Sequence, residues 1–197
     1  ATGSGHLNVA QGDNSIRLWD AQTGEQQSRL SGHTNTVRGV EFHPTEDNLL
    51  ASASTDGAVI VWNLDSEAAE VTLETLDEDG ERVSLTDVAY HPQGSRLLTT
   101  VLEFGIYIYD TATGEQLDSF QAHEGRVLRA SYNHDGTQII SGGTDSLVKI
   151  WDATTYEIIH ELEGHSGWVS TVAFSADGQL AVSGADNDLL VWDVVTG

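Results

Sequence analysis

Short apolar runs separated by small polar turns recur along this chain at intervals of about 41 to 47 residues. Each run has four to six residues and is bounded by Gly, Asp, Asn or Ser, which is typical of strands rather than helices. The clearest unit is Ser141 to Asp152, a strand end, a tight turn and an apolar run closing on Trp-Asp. Similar stretches occupy residues 52–63 and 183–193, with a shorter form at 10–20 and a degenerate form at 99–110.

A repeat of about 40 to 45 residues with this ending is typical of β-propeller blades. The apolar runs predict strands a, b, c and d in five units, covering residues 1–30, 31–76, 77–121, 122–163 and 164–197 of one domain. The strands number 3, 4, 4, 4 and 3, because the first unit lacks strand a and the last lacks strand d. The first predicted strand is Leu7 to Gln11, followed by a turn at Gly12.

Two dipeptides recur in register: Gly-His at 32–33 and 164–165, and Trp-Asp at 19–20, 151–152 and 192–193. With the intervening Ser-Gly-Gly-Thr-Asp, they resemble the WD40 repeat family over essentially the whole chain. The resemblance implies an all-β fold, a propeller of four-stranded antiparallel blades packed face to face. It also explains why strand c, as in Val59 to Trp62, is apolar on both sides, since neighbouring blades cover both faces.

The resemblance further implies a hydrogen-bonded network of His, Ser or Thr, Asp and Trp inside each blade. Such a network suits the chemistry, because a buried indole N–H needs an acceptor and a hydroxyl can accept and donate onward. The matching positions are His33, Ser52, Asp56 and Trp62; His123, Ser141, Asp145 and Trp151; and His165, Ser183, Asp186 and Trp192. A catalytic triad is the alternative interpretation. Repetition in several units favours a structural role, and no G-x-S-x-G elbow is present.

The network pattern is incomplete in three units. In the fifth, Ser183 lies one residue nearer its Asp than its counterparts do, and the first unit offers only Asp13 and Trp19. The third has Glu81, Thr99, Glu103 and Tyr109 at the corresponding places, which predicts a broken network there.

In the family, the start of strand a and the turn between strands b and c surround the channel mouth where partner proteins dock. By register, these positions are Thr36, Arg38, Arg126, Leu128, Trp168, Ser170, Thr55, Leu102, Thr144 and Ala185. Trp168 is the leading candidate, because Trp and Arg dominate interface energies; a purely structural role at the start of the blade is the alternative. Arg38 and Arg126 are scarce cations that either steer an acidic peptide or offset neighbouring carboxylates.

The resemblance therefore implies a non-catalytic scaffold for protein–protein interaction. The alternatives are a sensor or regulatory segment of a larger multidomain enzyme or signalling protein, and a ring-forming assembly of propeller fragments. Because typical rings have seven or eight blades, three means of closure stay open: a larger ring completed elsewhere, association of copies through their open edges, and a small five-bladed ring. Open strand edges are rarely left bare.

Charge and composition narrow the partner classes. The formal net charge is −23, with Lys149 the only lysine, which disfavours nucleic-acid and anionic-membrane binding. The acidity indicates either solubility or adaptation to high salt. With no cysteine, thiolate chemistry is excluded. The N-terminal sequence shows no signal-peptide pattern, so a cytoplasmic location is the expectation.

No cofactor or metal site is expected. Residues 77–80, Asp-Glu-Asp-Gly, resemble part of a calcium loop, but an EF-hand frame would put Thr75 first and Thr86 twelfth, where carboxylates are required. No two histidines have metal-ligand spacing. No phosphate-binding loop or dinucleotide fingerprint is present either.

Overall fold

The computed structural model describes residues 2–3, 13–77, 79–103 and 105–197. These residues form eighteen β-strands in five antiparallel sheets and contain no helix. The all-β prediction is therefore confirmed. The strand expected at Leu7 to Gln11 and the turn at Gly12 lie outside the described residues.

The five sheets follow one another along the chain, and each is a simple up-and-down meander. The first contains β1 (Thr2–Gly3), β2 (Ile16–Trp19) and β3 (Gln26–Leu30). The second contains β4 (Val37–Phe42), β5 (Leu49–Ser54), β6 (Ala58–Asn63) and β7 (Ala68–Glu74). The third contains β8 (Leu85–Tyr90), β9 (Arg96–Val101), β10 (Gly105–Asp110) and β11 (Gln116–Gln121).

The last two sheets repeat this order. The fourth contains β12 (Val127–Tyr132), β13 (Gln138–Gly143), β14 (Val148–Asp152) and β15 (Ile158–Leu162). The fifth contains β16 (Val169–Phe174), β17 (Leu180–Ala185) and β18 (Asp188–Asp193). The five sheets are WD40-type propeller blades, and the described residues do not form a closed ring. The residue boundaries proposed for the five units stay a prediction.

Strand position within a sheet determines burial. In β6, the run Ala58 to Trp62 is buried, whereas the fourth strand β11 carries Gln, Asp and Ser and is mostly exposed. Apolar side chains on both faces of a middle strand need a cover on each side, while an outer strand faces water. The core therefore lies between neighbouring sheets, in four clusters that each join two consecutive sheets.

The first strands of successive sheets pack side by side, β4 with β8, β8 with β12 and β12 with β16, and form a common inner wall. The approach is close enough to require glycine: a Cβ on Gly142 would lie 2.5 Å from Cγ1 of Val169 in the next sheet. A side chain there would push the fourth and fifth sheets apart.

Candidate functional site

The second and fourth sheets each contain a complete chain of hydrogen bonds from a carboxylate to an indole. In the fourth, His123 Nδ1 lies 2.9 Å from Asp145 Oδ1, and its Nε2 lies 2.8 Å from Ser141 Oγ. Trp151 Nε1 donates to the same hydroxyl over 2.9 Å. In the second sheet the matching distances are 3.0 Å for His33 and Asp56, 2.8 Å for His33 and Ser52, and 2.8 Å for Trp62 and Ser52.

The carboxylates also hold the loop that precedes the first strand of each sheet. Asp56 accepts from the backbone N–H of Thr34 over 2.7 Å, and Asp145 accepts from that of Glu124 over 3.1 Å. Burial alone would raise the pKa of Asp56, but bonds from His33 and the backbone hold this pKa at about 2. The network therefore connects the interior of each sheet to the loops at its edge.

This geometry does not suit nucleophilic catalysis. Ser52 and Ser141 have no exposed surface, and each hydroxyl accepts from an indole N–H as well as contacting an imidazole. A nucleophile must reach a substrate carbonyl at close range. In this arrangement, both hydroxyls are enclosed between sheets.

The fifth sheet contains only part of the network. His165 Nε2 lies 2.7 Å from Ser183 Oγ, and Trp192 Nε1 donates to that oxygen over 2.7 Å. However, His165 Nδ1 is buried with no hydrogen-bond partner among the described residues. The assignment of Asp186 to this network is therefore corrected: its carboxylate lies against Gly167, where an added Cβ would be 1.9 Å from Oδ2.

In the third sheet, different bonds replace the network. Thr99 Oγ1 donates to the backbone oxygen of Asp87 over 2.7 Å, and the Tyr109 hydroxyl donates to Thr75 Oγ1 over 2.9 Å. Glu81 and Glu103 are exposed. In the first sheet, Asp13 contacts Ser15, Arg17 and Arg29.

The candidate partner-binding residues sit where a strand start meets a turn. Backbone N–H groups in the turns donate to carbonyls near the start of the first strand: Thr55 to Thr36 over 3.0 Å, Leu102 to Ser84 over 2.9 Å and Thr144 to Arg126 over 2.9 Å. Val169 pairs with Ala185 in the fifth sheet. These positions therefore share one edge of the array, which we call the rim.

Exposure separates the rim residues into three groups. Trp168 is 61% exposed, and Arg38, Arg126 and Ser170 are also exposed. Four are half-buried, namely Thr55, Leu102, Leu128 and Thr144. Thr36 and Ala185 are buried, so their side chains are not accessible to a partner. Neither Arg38 nor Arg126 forms an ion pair within 4.0 Å among the described residues, in contrast to Arg17, Arg29, Arg82 and Arg129.

Sequence analysis missed a charged cluster on the inner wall. Asp87 is buried, forms an ion pair with Arg129 over 3.1 Å and accepts from the backbone N–H of Ala130 in the next sheet. Glu41 accepts from the backbone N–H of Tyr90. Burial raises the pKa of Glu41 to about 7 and that of Asp87 to about 6, with Arg129 opposing. Their shared location on first strands was the only signal available.

A cavity of about 480 Å³ lies between the second and third sheets near His43, Glu46, Glu70 and Tyr90.

In the described part of the chain, no cluster of three or more His, Asp or Glu side chains is arranged to bind a metal ion. That part also contains no helix long and apolar enough to cross a membrane.

Comparison with known proteins agrees with the architecture. The family model described as "WD domain, G-beta repeat" matches residues 24–63, 114–152 and 156–193. A guanine nucleotide-binding protein subunit beta from Arabidopsis thaliana is 32% identical over 123 residues, covering 60% of this chain and 32% of the relative.

Two further relatives are similar over shorter shares of their length. A coronin-like protein of Schizosaccharomyces pombe is 30% identical over 98 residues, covering 50% of this chain and 15% of the relative. The nuclear distribution protein nudF 1 of Talaromyces marneffei is 31% identical over 113 residues, covering 57% and 24%. The chain thus aligns with less than a third of the length of each of these three relatives. Because the family model matches more than half of the chain, on sheets with the family's strand order and network, this protein belongs to the WD40 repeat family.

Proposed function

We propose that this chain is a protein-interaction scaffold whose partner docks on the rim, with Trp168 as the principal anchor. The observation that supports this most strongly is the indole of Trp168, which is 61% exposed at the start of β16. By contrast, the tryptophans of the two complete networks, Trp62 and Trp151, are almost fully buried. An exposed Trp beside a buried strand start offers a large apolar contact area at low entropic cost.

The partner's chemistry follows from the charges on the rim. Arg38 and Arg126 are exposed and lack ion-pair partners within 4.0 Å among the described residues, so each can accept a carboxylate without breaking an existing pair. Because the whole chain carries −23, attraction of an acidic partner acts only at short range, within roughly one Debye length. We infer a segment that combines one large apolar side chain with carboxylates.

The loop contacts of the network explain how the rim is kept in shape. The N–H bonds that Asp56 and Asp145 accept hold the loops before β4 and β12. A rigid scaffold lowers the entropic cost of binding, because the loops are ordered before the partner arrives. The interior network thus supports function without contacting the partner.

Trp168→Ala tests this proposal. The immobilised wild-type chain and variant are compared for capture of proteins from the source proteome, followed by Kd measurement for each captured protein. Loss of a central Trp weakens binding by about 2 kcal/mol or more, roughly thirtyfold.

Ile159→Ala is the matched control, since Ile159 is 41% exposed on the outer strand β15, away from the rim. We expect it to bind as wild type does. Equal capture by wild type, Trp168→Ala and Ile159→Ala would refute the rim proposal, provided that circular dichroism shows all three folded.

A further inference from the structure

The cavity between the second and third sheets lies at the edge of the array opposite the rim. The rim surrounds the starts of the first strands, whereas the cavity is lined by His43, which follows the end of β4, and by Tyr90, the last residue of β8. Its volume of about 480 Å³ lies within the range of about 300 to 1,000 Å³ that is usual for ligand sites.

Tyr90 presents a buried hydroxyl in this cavity without a hydrogen-bond partner among the described residues. The residue is 5% exposed, and its ring packs edge-on against that of His43, with centroids 4.8 Å apart. His43 cannot supply the partner, because its Nε2 donates to the Gly94 oxygen over 3.2 Å and its Nδ1 accepts from the Glu46 backbone N–H over 3.0 Å. Since a buried hydroxyl without a partner is unfavourable, a ligand that bonds to it gains affinity.

Glu46 and Glu70 give the cavity its charge. Both line it, both are exposed, and neither forms an ion pair within 4.0 Å in the described part of the chain. Burial, and after it the carboxylates of Glu41, Glu46 and Glu70, raise the pKa of the Tyr90 hydroxyl, so these charges act on that oxygen. A cation that donates several hydrogen bonds suits the hydroxyl and the carboxylates together.

The interface between the third and fourth sheets has the same construction with a cation of its own. There Tyr132 replaces Tyr90 and packs edge-on against His91, with ring centroids 5.1 Å apart. Arg96 replaces Leu49 at the start of the second strand, because the backbone oxygen of each accepts the N–H of the histidine that follows the first strand. Burial raises the pKa of the Tyr132 hydroxyl, and the charge of Arg96 opposes that rise. A guanidinium thus acts on the tyrosine of this second interface.

Two further exchanges leave space and negative charge between the second and third sheets. Gly114 and Tyr156 are equivalent, since each backbone N–H donates to the oxygen four residues earlier and each φ is positive. The Tyr156 ring stacks on Phe120 with centroids 5.0 Å apart, whereas Gly114 has no side chain. At the bulge of the outer strand, Glu70 stands where the third sheet has Leu117.

We propose that this cavity binds the guanidinium group of an arginine side chain presented by a partner protein. Glu46 and Glu70 accept N–H bonds from the planar guanidinium, and the Tyr90 hydroxyl accepts another. Leu49 and Val71 of the wall pack against the aliphatic stem of the arginine. The net charge of −23 attracts a basic segment. This inference does not depend on the proposed role of the rim, because the two sites lie at opposite edges.

An NMR titration of the isotope-labelled chain at low salt tests the proposal with N-acetyl-arginine methylamide as the probe. We expect saturable shifts of the Tyr90 and Gly94 amides with a Kd on the order of 1 mM, weakening as salt increases. The neutral citrulline analogue has the same shape and should bind about tenfold more weakly or worse. Equal binding of the two probes, or no saturable shift, would overturn the proposal. Tighter binding of free arginine would assign the cavity to a small molecule and overturn the docking role.

Three variants locate the site. Tyr90→Phe should weaken probe binding about fivefold without lowering the melting temperature, because the hydroxyl has no partner to lose among the described residues. Leu49→Arg supplies the cation that Arg96 provides at the next interface, so it should weaken probe binding about tenfold. Glu70→Gln should also weaken it about tenfold.

Glu163→Gln is the matched control for charge, since Glu163 is exposed and lies outside the cavity. It should bind the probe as wild type does. Equal weakening by Glu163→Gln and Glu70→Gln would show general attraction to an acidic surface and overturn the proposal. A lower melting temperature of Tyr90→Phe with unchanged probe affinity would overturn it as well, because the hydroxyl would then be structural.

Discussion

The fourth and fifth sheets are built from similar sequence motifs, but they differ inside. In the fourth, His123 contacts both Asp145 and Ser141; in the fifth, His165 contacts Ser183 and its Nδ1 is left without a partner. Matching residue types in sequence therefore do not guarantee a matching network.

Turn length explains the difference. The last pair before the turn is Gly142 with Val148 in the fourth sheet, whereas in the fifth it is Ala185 with Asp188. The shorter turn puts Asp186 at its first position with a φ of +47° and directs its carboxylate toward Gly167. One residue fewer between Ser and Asp is thus enough to remove the carboxylate from the network.

The largest expected contrast comes from the tryptophans. Trp151→Ala removes a buried indole and leaves the Ser141 hydroxyl without its donor, which should cost about 3 to 5 kcal/mol of unfolding free energy. Trp192→Ala should cost clearly less, because Trp192 is only half-buried. Urea unfolding of both variants measures the two losses of unfolding free energy. Equal losses would contradict the claim that the network stabilises the fourth sheet more than the fifth.

Replacing Asp145 of the fourth sheet should cost more unfolding free energy than replacing Asp186 of the fifth. Asp145→Ala removes the partner of a buried imidazole and a loop acceptor, so we expect a loss of about 1 to 3 kcal/mol. Asp186→Asn should change the unfolding free energy by less than about 0.5 kcal/mol, because the side chain is exposed and Asn tolerates the positive φ of this position. A large loss for Asp186→Asn, measured by urea unfolding, would show that the Asp186 carboxylate participates after all.

Lengthening the turn between β17 and β18 should complete the network of the fifth sheet. Insertion of one glycine between Gly184 and Ala185 restores the spacing of the fourth sheet and should let Asp186 reach His165. A new hydrogen bond to a buried imidazole should stabilise the fold by about 1 kcal/mol. The same insertion combined with Asp186→Ala is the control, and a gain that survives in this double variant would argue against the explanation by turn length.

Acid should reveal the contribution of the Asp56 carboxylate to stability through a smaller effect. Asp56 has a pKa of about 2 in the fold, below its ordinary value of 3.8. Its contribution to stability is therefore present above about pH 4 and is lost as the pH falls toward 2. Asp56→Asn should reduce this loss of stability in acid, measured as the melting temperature in a pH series of thermal unfolding. Identical acid limbs in the wild type and Asp56→Asn would contradict the assignment.

Much of the fold could be predicted because each sheet repeats the same local pattern. The predicted numbers of strands in the second to fifth units, namely 4, 4, 4 and 3, match the sheets β4–β7, β8–β11, β12–β15 and β16–β18. What could not be predicted depends on contacts between sheets. Glu41 and Asp87 meet partners from neighbouring sheets, at sequence separations of 49 and 43 residues.

The candidate site also has features that could be predicted from the sequence and features that could not. The positions implied by the family resemblance were enough to identify the chains of bonds around Ser52 and Ser141, because all four members of each chain belong to one repeat unit. They were not enough for Asp186, because the direction of its side chain depends on the backbone of a turn one residue shorter. Nor could they reveal that Leu189 and Val191 are exposed, since exposure depends on whether another sheet covers them.

The most direct test of the account is the exchange of indole N–H protons with deuterated solvent, followed by NMR in the folded protein. The account predicts that Trp62 and Trp151, held by complete networks, exchange slowest; that Trp192 is faster; and that exposed Trp168 exchanges fastest. Exchange of Trp151 as fast as that of Trp168, or of Trp192 as slow as that of Trp151, would contradict the claim that the buried networks stabilise the sheets while the rim is left free to bind.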